Sequence, residues 1–303
     1  MEIFIDRNDN LKSAQGGVYA LGNFDGVHLG HKEIISKVIE ISRSKNIPSG
    51  VLIFNPHPRS YFNPKLNDFI LSDIKTRSYL LEKTKLDFLG ILKFDEAMSN
   101  LSPREFIEKV IKDRVGVSHL IVGYNFRFGK NREGDVKKLK HFEKKYSYKT
   151  IVTPALKINN KIVSSTLIRS LIEKGKVHEV KKFLGRNWCI EGKVQRGFQR
   201  GRKIGFPTCN LSLGNYKLPK FGVYDVKIKF KKFIKRGIAN IGIRPTFNGK
   251  GPTLEVNIFG FNRNIYKKEI EIEFLKFIRK ERKFKGIEDL KKQIKKDIKK
   301  IKK

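Results

Sequence analysis

Residues 16–31 read GGVYALGNFDGVHLGH. An apolar run is cut by glycine, and within ten residues a helical pattern begins in HKEIISKVIEISRSKN (31–46). A strand that ends in glycine and hands over to a helix is the opening half of a βαβ unit. The turn between them, GNFDGVHLGH (22–31), carries His28 and His31 three residues apart. A helix start offers unpaired backbone N–H groups and the positive end of the helix dipole, so anions bind there readily. Gly30 lets a phosphate approach the backbone, and the imidazole N–H groups can donate to phosphate oxygens as charge develops. On these residues alone three readings stay open: a phosphate seat, a structural turn, or a metal site. The last needs a third ligand, and no His or Cys has suitable spacing nearby.

Outward from this turn, strand and helix signals alternate. SGVLIFNP (49–56), DFLGILKF (87–94), SHLIVGYNF (118–126) and YKTIVTP (148–154) read as strands. KTRSYLLEKTK (75–85), SPREFIEKVIKDR (102–114) and DVKKLKHFEKKY (135–146) read as helices, the second with Pro103 in its first turn. The alternation predicts an α/β domain, a parallel sheet of five strands with helices on both faces. Ligands bind such sheets beyond the carboxyl ends of the strands, where GNFDGVHLGH lies. After KVHEVKKFLGR (176–186) the pattern changes to short alternating runs divided by Gly, Pro and Asn. These predict an antiparallel barrel or sandwich closed by a helix from about 287 onward. The boundary is placed near 185, giving domains 1–185 and 186–303.

The 303 residues are enough for about two domains. Two cysteines, Cys189 and Cys209, cannot build a disulfide framework or a zinc site, and a reducing compartment is expected. No apolar run approaches the roughly 20 residues that span a bilayer, and MEIFIDRNDN lacks a signal pattern, so no membrane and a cytoplasmic location are expected. The formal charge of +36 comes mostly from Lys dispersed over the surface segments. Dispersed Lys raises nonspecific affinity for polyanions without creating a site, so no specific nucleic-acid partner is expected. KKQIKKDIKKIKK (291–303) reads as a solvated helix face with Ile at helical spacing.

The motif G-x-F-D-G-x-H-x-G-H, here Gly22, Phe24, Asp25, Gly26, His28, Gly30 and His31, resembles the nucleotidyltransferase superfamily. That superfamily has a second phosphate-binding motif, a Ser/Thr cluster followed by I-R at a later helix start. VSSTLIRSLIEKG (163–175) matches it with Ser165, Thr166 and Arg169. FNPHP (54–58) and VGYNFRFGKNREGD (122–135) resemble segments of the prokaryotic FAD synthetases, in which the Asn matching Asn125 contacts the nucleotide. Amides and aromatic faces in YNFRFG suit an adenine or flavin ring; Phe128 reads as core packing, and His57 could face the cleft. Leu167 stands where the family usually has Arg, which removes one charge near the triphosphate.

GKVQRGFQRGRKIGFPTCNL (192–211) is a basic, glycine-rich turn with Gly197, Gly201, Arg202 and Gly205, followed by Pro207, Thr208 and Asn210. It resembles the riboflavin kinase domain, whose G-x-P-T-x-N motif binds Mg²⁺ and ATP. The Thr208 hydroxyl and Asn210 amide oxygen are hard donors suited to Mg²⁺ held with phosphates. Cys209 replaces the family's usual Ala. Glu255 in PTLEVNIF matches the family's catalytic carboxylate, and ANIGIRPTF (239–247) and FLKFIRKERKF (274–284) are further matching segments. The resemblance implies that Arg279 in the latter binds ATP or flavin together with Gly197, Gly201, Arg202, Gly205, Pro207, Thr208 and Asn210. The family often has His and Asp where this chain has Asn257 and Gly260.

The resemblance covers nearly the whole chain, in order. It implies a Rossmann-like nucleotidyltransferase domain followed by an antiparallel β-barrel riboflavin kinase domain with a C-terminal helix. It further implies ATP-dependent phosphorylation of riboflavin to FMN, with Mg²⁺, and adenylylation of FMN to FAD by a monomer or weak homo-oligomer. His28, His31 and Glu255 would carry the chemistry, with Thr208 and Asn210 on the metal. Two rival readings are another nucleotidyltransferase with an accessory β domain, and a basic nucleic-acid-binding protein.

Overall fold

The computed structural model describes residues 1–5, 11–66, 68–196, 201, 204–243, 252–261 and 263–302. The chain divides into two compact units: Met1–Asn67 with Asp73–Ser165, and Asp68–Ser72 with Thr166–Lys303.

In the first unit the strands are β1 (Glu2–Ile5), β2 (Val18–Leu21), β3 (Ser49–Asn55), β4 (Phe88–Lys93), β5 (His119–Gly123) and β6 (Lys149–Thr153). They form one sheet in the order β1-β4-β3-β2-β5-β6, every pair parallel. Helix α1 (Leu29–Lys45) follows β2. α2 (Pro58–Phe62) and α3 (Ile74–Glu82) lie between β3 and β4. α4 (Glu96–Asn100) and α5 precede β5, and α6 (Val136–Tyr146) precedes β6. α5 starts as a single α turn at Pro103–Glu105 and runs on as a π-helix over Phe106–Val115.

The central strands are apolar without alternation because both sheet faces are covered. Val18, Ala20, Val51 and Ile53 pack with Ile35 and Val38 of α1 on one face. Tyr19, Leu21, Leu52 and Leu120 pack with Phe106, Ile107 and Val110 of α5 on the other. The sequence predicts five strands and the sheet has six. β1 escaped because only Phe4 of its four residues is buried, so it lacks the apolar run of an interior strand. A two-residue hairpin pair, β7 (Lys157–Ile158) and β8 (Lys161–Ile162), leads to helix α7 (Ser165–Glu173).

The second unit resolves the choice between sandwich and barrel. β9 (Cys189–Gln195), β10 (Cys209–Ser212), β11 (Gly222–Phe230), β12 (Phe233–Ile243), β13 (Pro252–Ile258) and β14 (Glu269–Arg279) close into an antiparallel barrel, ordered β10-β13-β12-β11-β14-β9. Inside it lie Leu211, Leu254, Val256, Tyr224, Val226 and Phe274, all nearly or fully buried. Helix α8 (Val177–Leu184) packs on β14, and α9 (Ile287–Lys302) ends the chain. Residues 68–72 belong here although they are flanked in sequence by the α/β unit. The Phe69 and Ile70 N–H groups donate to the Asn215 carbonyl at 2.9 and 3.0 Å. Trp188 donates its indole N–H to the Leu71 carbonyl at 3.0 Å.

Candidate active sites

Strand order brings together three loops that are distant in sequence. β3, β2 and β5 are neighbours and parallel, so FNPHP, GNFDGVHLGH and YNFRFG all leave the same edge of the sheet. The chain steps from β2 to β3 on one side, then returns past β2 to reach β5. The reversal falls beside β2, the place where open α/β sheets bind ligands.

The loop after β2 is held in an uncommon backbone. Phe24 and Val27 have φ of 47° and 40°, and Gly26 has 83°. Two positive-φ side-chain-bearing residues so close together are strain that the surroundings must stabilise. Part of that support comes from Arg77 of α3. Its guanidinium lies 3.7 Å from the Asp25 carboxylate, with the two side chains 4% and 1% exposed. It also donates to the Asn23 carbonyl at 3.1 Å. Ser165 Oγ donates to the Asp25 carbonyl at 3.0 Å, joining the start of α7 to the same loop.

His28 is the N-cap of α1, and the two histidines cap each other. The His31 N–H donates to His28 Nδ1 at 3.1 Å, and the His28 N–H donates to His31 Nδ1 at 3.3 Å. The rings stack with centroids 3.5 Å apart and planes 13° from parallel, and the Phe24 ring lies 4.8 Å from that of His31. A ring nitrogen that accepts carries no proton, so in each neutral ring the proton is on Nε2. The turn therefore makes two Nε2–H donors of fixed tautomer from one capping interaction. His57 is likewise committed at Nδ1, capping α2 by accepting from the Arg59 N–H at 3.1 Å. Asn125 is exposed after β5. Phe128 is buried and packs on Phe106 and Phe126 at 5.4 and 5.7 Å, as the core-packing reading expects. Thr166 is exposed. Arg169 stacks over the Phe69 ring at 3.8 Å and donates Nε to the Phe69 carbonyl at 2.8 Å.

In the second unit the register of the barrel assembles what the sequence leaves scattered. Asn210 pairs with Glu255, Glu255 with Asn240, Asn240 with Val223, and Val223 with Arg279. Directly opposed residues share a sheet face. These five thus form a belt across β10, β13, β12, β11 and β14 on the outer surface, since Leu254 and Val256 beside Glu255 point inward. The belt and Thr208 line a cavity of about 540 Å³, whose far wall is α9.

The turn before Asn210 is tightly built. A side chain on Gly201 would begin 2.3 Å from the Phe206 carbonyl oxygen and 3.3 Å from Thr208 Oγ1, so only glycine fits. Asn257 donates Nδ2 to the Pro207 carbonyl at 2.7 Å, so the residue that departs from the family's His fixes the PTCN segment. Asn240 donates Nδ2 to Glu281 Oε1 at 3.0 Å. Arg279 donates Nε to Asp297 Oδ2 at 2.8 Å and Nη1 to the Lys280 carbonyl at 3.0 Å. Gly197 and Arg202 lie outside the described residues; Gly205, at φ 84°, is not part of the cavity lining. Burial pushes the Cys189 and Cys209 thiols up to about 12, so neither is a nucleophile at neutral pH. Among the described residues no group of three His, Cys, Asp or Glu side chains could hold a metal. Thr208 and Asn210 fit a different donor set, neutral hard oxygens that complete an Mg²⁺ shell together with phosphates and water. Arg77, Gln293 and Asp297 carry no motif signal; only α3 and α9 reveal them.

A histidine-capped turn at the switch point of a parallel sheet and a belt of polar side chains lining a cavity on a closed barrel fit the transferases that handle nucleotides. The comparisons resolve the class further. The family model for FAD synthetase matches residues 10–167, and that for riboflavin kinase matches residues 184–303. A bifunctional riboflavin kinase/FMN adenylyltransferase of Buchnera aphidicola is 38% identical over 301 residues, covering 97% of this chain and 96% of that one. One of Bacillus subtilis is 38% identical over 285 residues, covering 92% and 90%. A crystal structure described as a macrolide-efflux protein from Streptococcus pneumoniae superposes with a TM-score of 0.88 at 29% identity, over 99% of this chain and 98% of that one. Among the described residues no helix is long and apolar enough to cross a membrane. The chain belongs to the bifunctional riboflavin kinase/FMN adenylyltransferase family.

Proposed function

We propose that the family's two reactions are divided between a domain of residues 1–185 and a domain of residues 186–303. The enzyme serves flavin cofactor biosynthesis, phosphorylating riboflavin to FMN and adenylylating FMN to FAD. In the barrel, the riboflavin 5′-hydroxyl attacks the γ-phosphorus of ATP, Glu255 takes the hydroxyl proton, and ADP leaves. Thr208 and Asn210 would hold Mg²⁺, which when bound neutralises charge on the phosphates. The observation that carries this assignment is the placement of Thr208, Asn210 and Glu255 on one cavity.

In the α/β domain, an oxygen of the FMN phosphate attacks the α-phosphorus of a second ATP, and pyrophosphate leaves. No protein nucleophile is needed. The Nε2–H groups of His28 and His31 donate to the triphosphate as charge builds on the leaving pyrophosphate. Gly22, Phe24, Asp25, Gly26 and Gly30 shape the seat, Ser165, Thr166 and Arg169 add polar contacts, and Asn125 meets the nucleotide base. Dispersed Lys makes no specific nucleic-acid site, and the enzyme works in the cytoplasm as a monomer or weak homo-oligomer.

Riboflavin, ATP and Mg²⁺ incubated with the chain, followed by chromatographic separation of flavins, tests the reading. FMN and then FAD are expected, and absence of both refutes it. His28→Ala should accumulate FMN and lower FAD formation by about a hundredfold. Glu255→Ala should abolish FMN formation from riboflavin yet still convert supplied FMN to FAD. A folded variant that loses both reactions overturns the division.

A further inference from the structure

The resemblance gives Arg279 to ATP or flavin, and its contacts point to a further role. Arg279 is the last residue of β14. Its Nε is spent on Asp297 Oδ2 at 2.8 Å and its Nη1 on the Lys280 carbonyl at 3.0 Å. Asp297 is completely buried. Its second oxygen, Oδ1, accepts from Gln293 Nε2 at 2.6 Å, one helical turn earlier. Both oxygens of this carboxylate are therefore occupied, one by the barrel wall and one by its own helix.

The position of Asp297 on α9 gives the pair a purpose. Ile298 and Ile301, just beyond Asp297, pack with Val223 and Ile238 on the outer barrel surface. Ile287, Leu290 and Ile294, before it on the same stripe, line the cavity opposite Glu255 and Asn210. One half of the helix is an anchor and the other is a wall. The Arg279–Asp297 pair lies where the two halves meet.

We propose that Arg279, Asp297 and Gln293 form a buried latch that sets α9 as the apolar wall of the kinase cavity, making Arg279 a positioning residue that acts through the helix. This rests on the kinase reading above. The wall supplies apolar surface, so the ligand most sensitive to its placement is the flat, largely apolar ring system of the acceptor. Thr208, Asn210 and Glu255 stand on the barrel side of the same cavity, which Arg279 and Asp297 also line, and the latch fixes the helix side of it.

Each single loss strands a buried charge, whereas removing both charges together leaves an apolar pair that packing tolerates. The test measures the riboflavin and ATP KM of Arg279→Met, Asp297→Leu and the double variant in the full-length enzyme. Trp188, the sole tryptophan, is 1% exposed in the barrel unit, and its emission reports folding. Each single variant should raise the riboflavin KM by about tenfold or more, with a smaller change in ATP KM. The double variant should bring the riboflavin KM back to within about threefold of the parent, as independent contributions would not. If a single variant unfolds, recovery of both Trp188 emission and riboflavin KM in the double supports the latch equally. A double variant that is unfolded, or folded with riboflavin KM still raised, overturns it, because a substrate-binding Arg279 cannot be restored by removing its partner. A parent chain that makes no FMN would instead sink the kinase reading itself.

Discussion

Gly30 shows how little room the turn between β2 and α1 has. A Cβ at this position would lie 3.2 Å from His28 Cε1, 3.3 Å from His28 Nδ1 and 3.4 Å from the Val163 carbonyl. The ring that must yield is the one locked in reciprocal capping with His31. Gly30→Ala should therefore lower conversion of FMN to FAD by about tenfold to a hundredfold through a misplaced Nε2 donor, while riboflavin phosphorylation continues. An unchanged FAD rate would show that the capped histidine pair does not need its observed geometry. His28 and His31 are legible in the sequence because spacing and glycines mark them. Arg77 is not, since nothing in KTRSYLLEKTK distinguishes a buried partner of Asp25 from a surface cation.

The second unit has its own ionic element. Glu273 on β14 sits between Lys227 and Lys229 of β11, with Lys227 Nζ at 2.7 Å and Asn187 Nδ2 at 3.1 Å; Lys229 contacts it too. Burial alone would raise its carboxyl, but the lysine and asparagine hydrogen bonds outweigh burial and hold it below the usual carboxylate range. A carboxylate with a depressed folded pKa stabilises above its unfolded value, about 4.3, and loses that contribution as pH falls through the folded value. Acid should therefore weaken the barrel, read as a Trp188 unfolding midpoint that falls below about pH 4.3. Glu273→Gln should start less stable at neutral pH and show a flatter acid limb; an identical limb would exclude Glu273 as its source. Element boundaries were largely legible from periodicity, including the strand at 49–55 and the helix at 287–302. The π geometry of Phe106–Val115 was not, because its apolar spacing also satisfies an α-helix. The terminal helix read as a solvated face keeps that face for its lysines, while its isoleucine stripe covers the barrel and lines the cavity.

At the scale of the whole molecule, the proposed division of the two reactions between different residues has a consequence that can be measured by mixing. A His28→Ala chain makes FMN and a Glu255→Ala chain consumes it, so the two together should form FAD from riboflavin far faster than either does alone. No FAD from the mixture, with each half-reaction intact, would mean that FMN does not leave the chain on which it forms.

By itself the sequence determined the α/β half, the β half, the glycine-rich histidine turn and the PTCN motif. Each of these is written in local spacing: strand and helix periods, glycines, and capping residues within one turn. Tertiary structure alone decided that the β half closes as a barrel and that residues 68–72 leave their sequence neighbours to hydrogen-bond with Asn215 and Trp188. It also decided that Asn210, Glu255, Asn240 and Arg279 form one belt, and that Arg279 faces Asp297. The reason is physical: register and long-range pairing depend on which strands meet and which face each presents. No window of a few residues encodes that choice; packing of the whole core makes it.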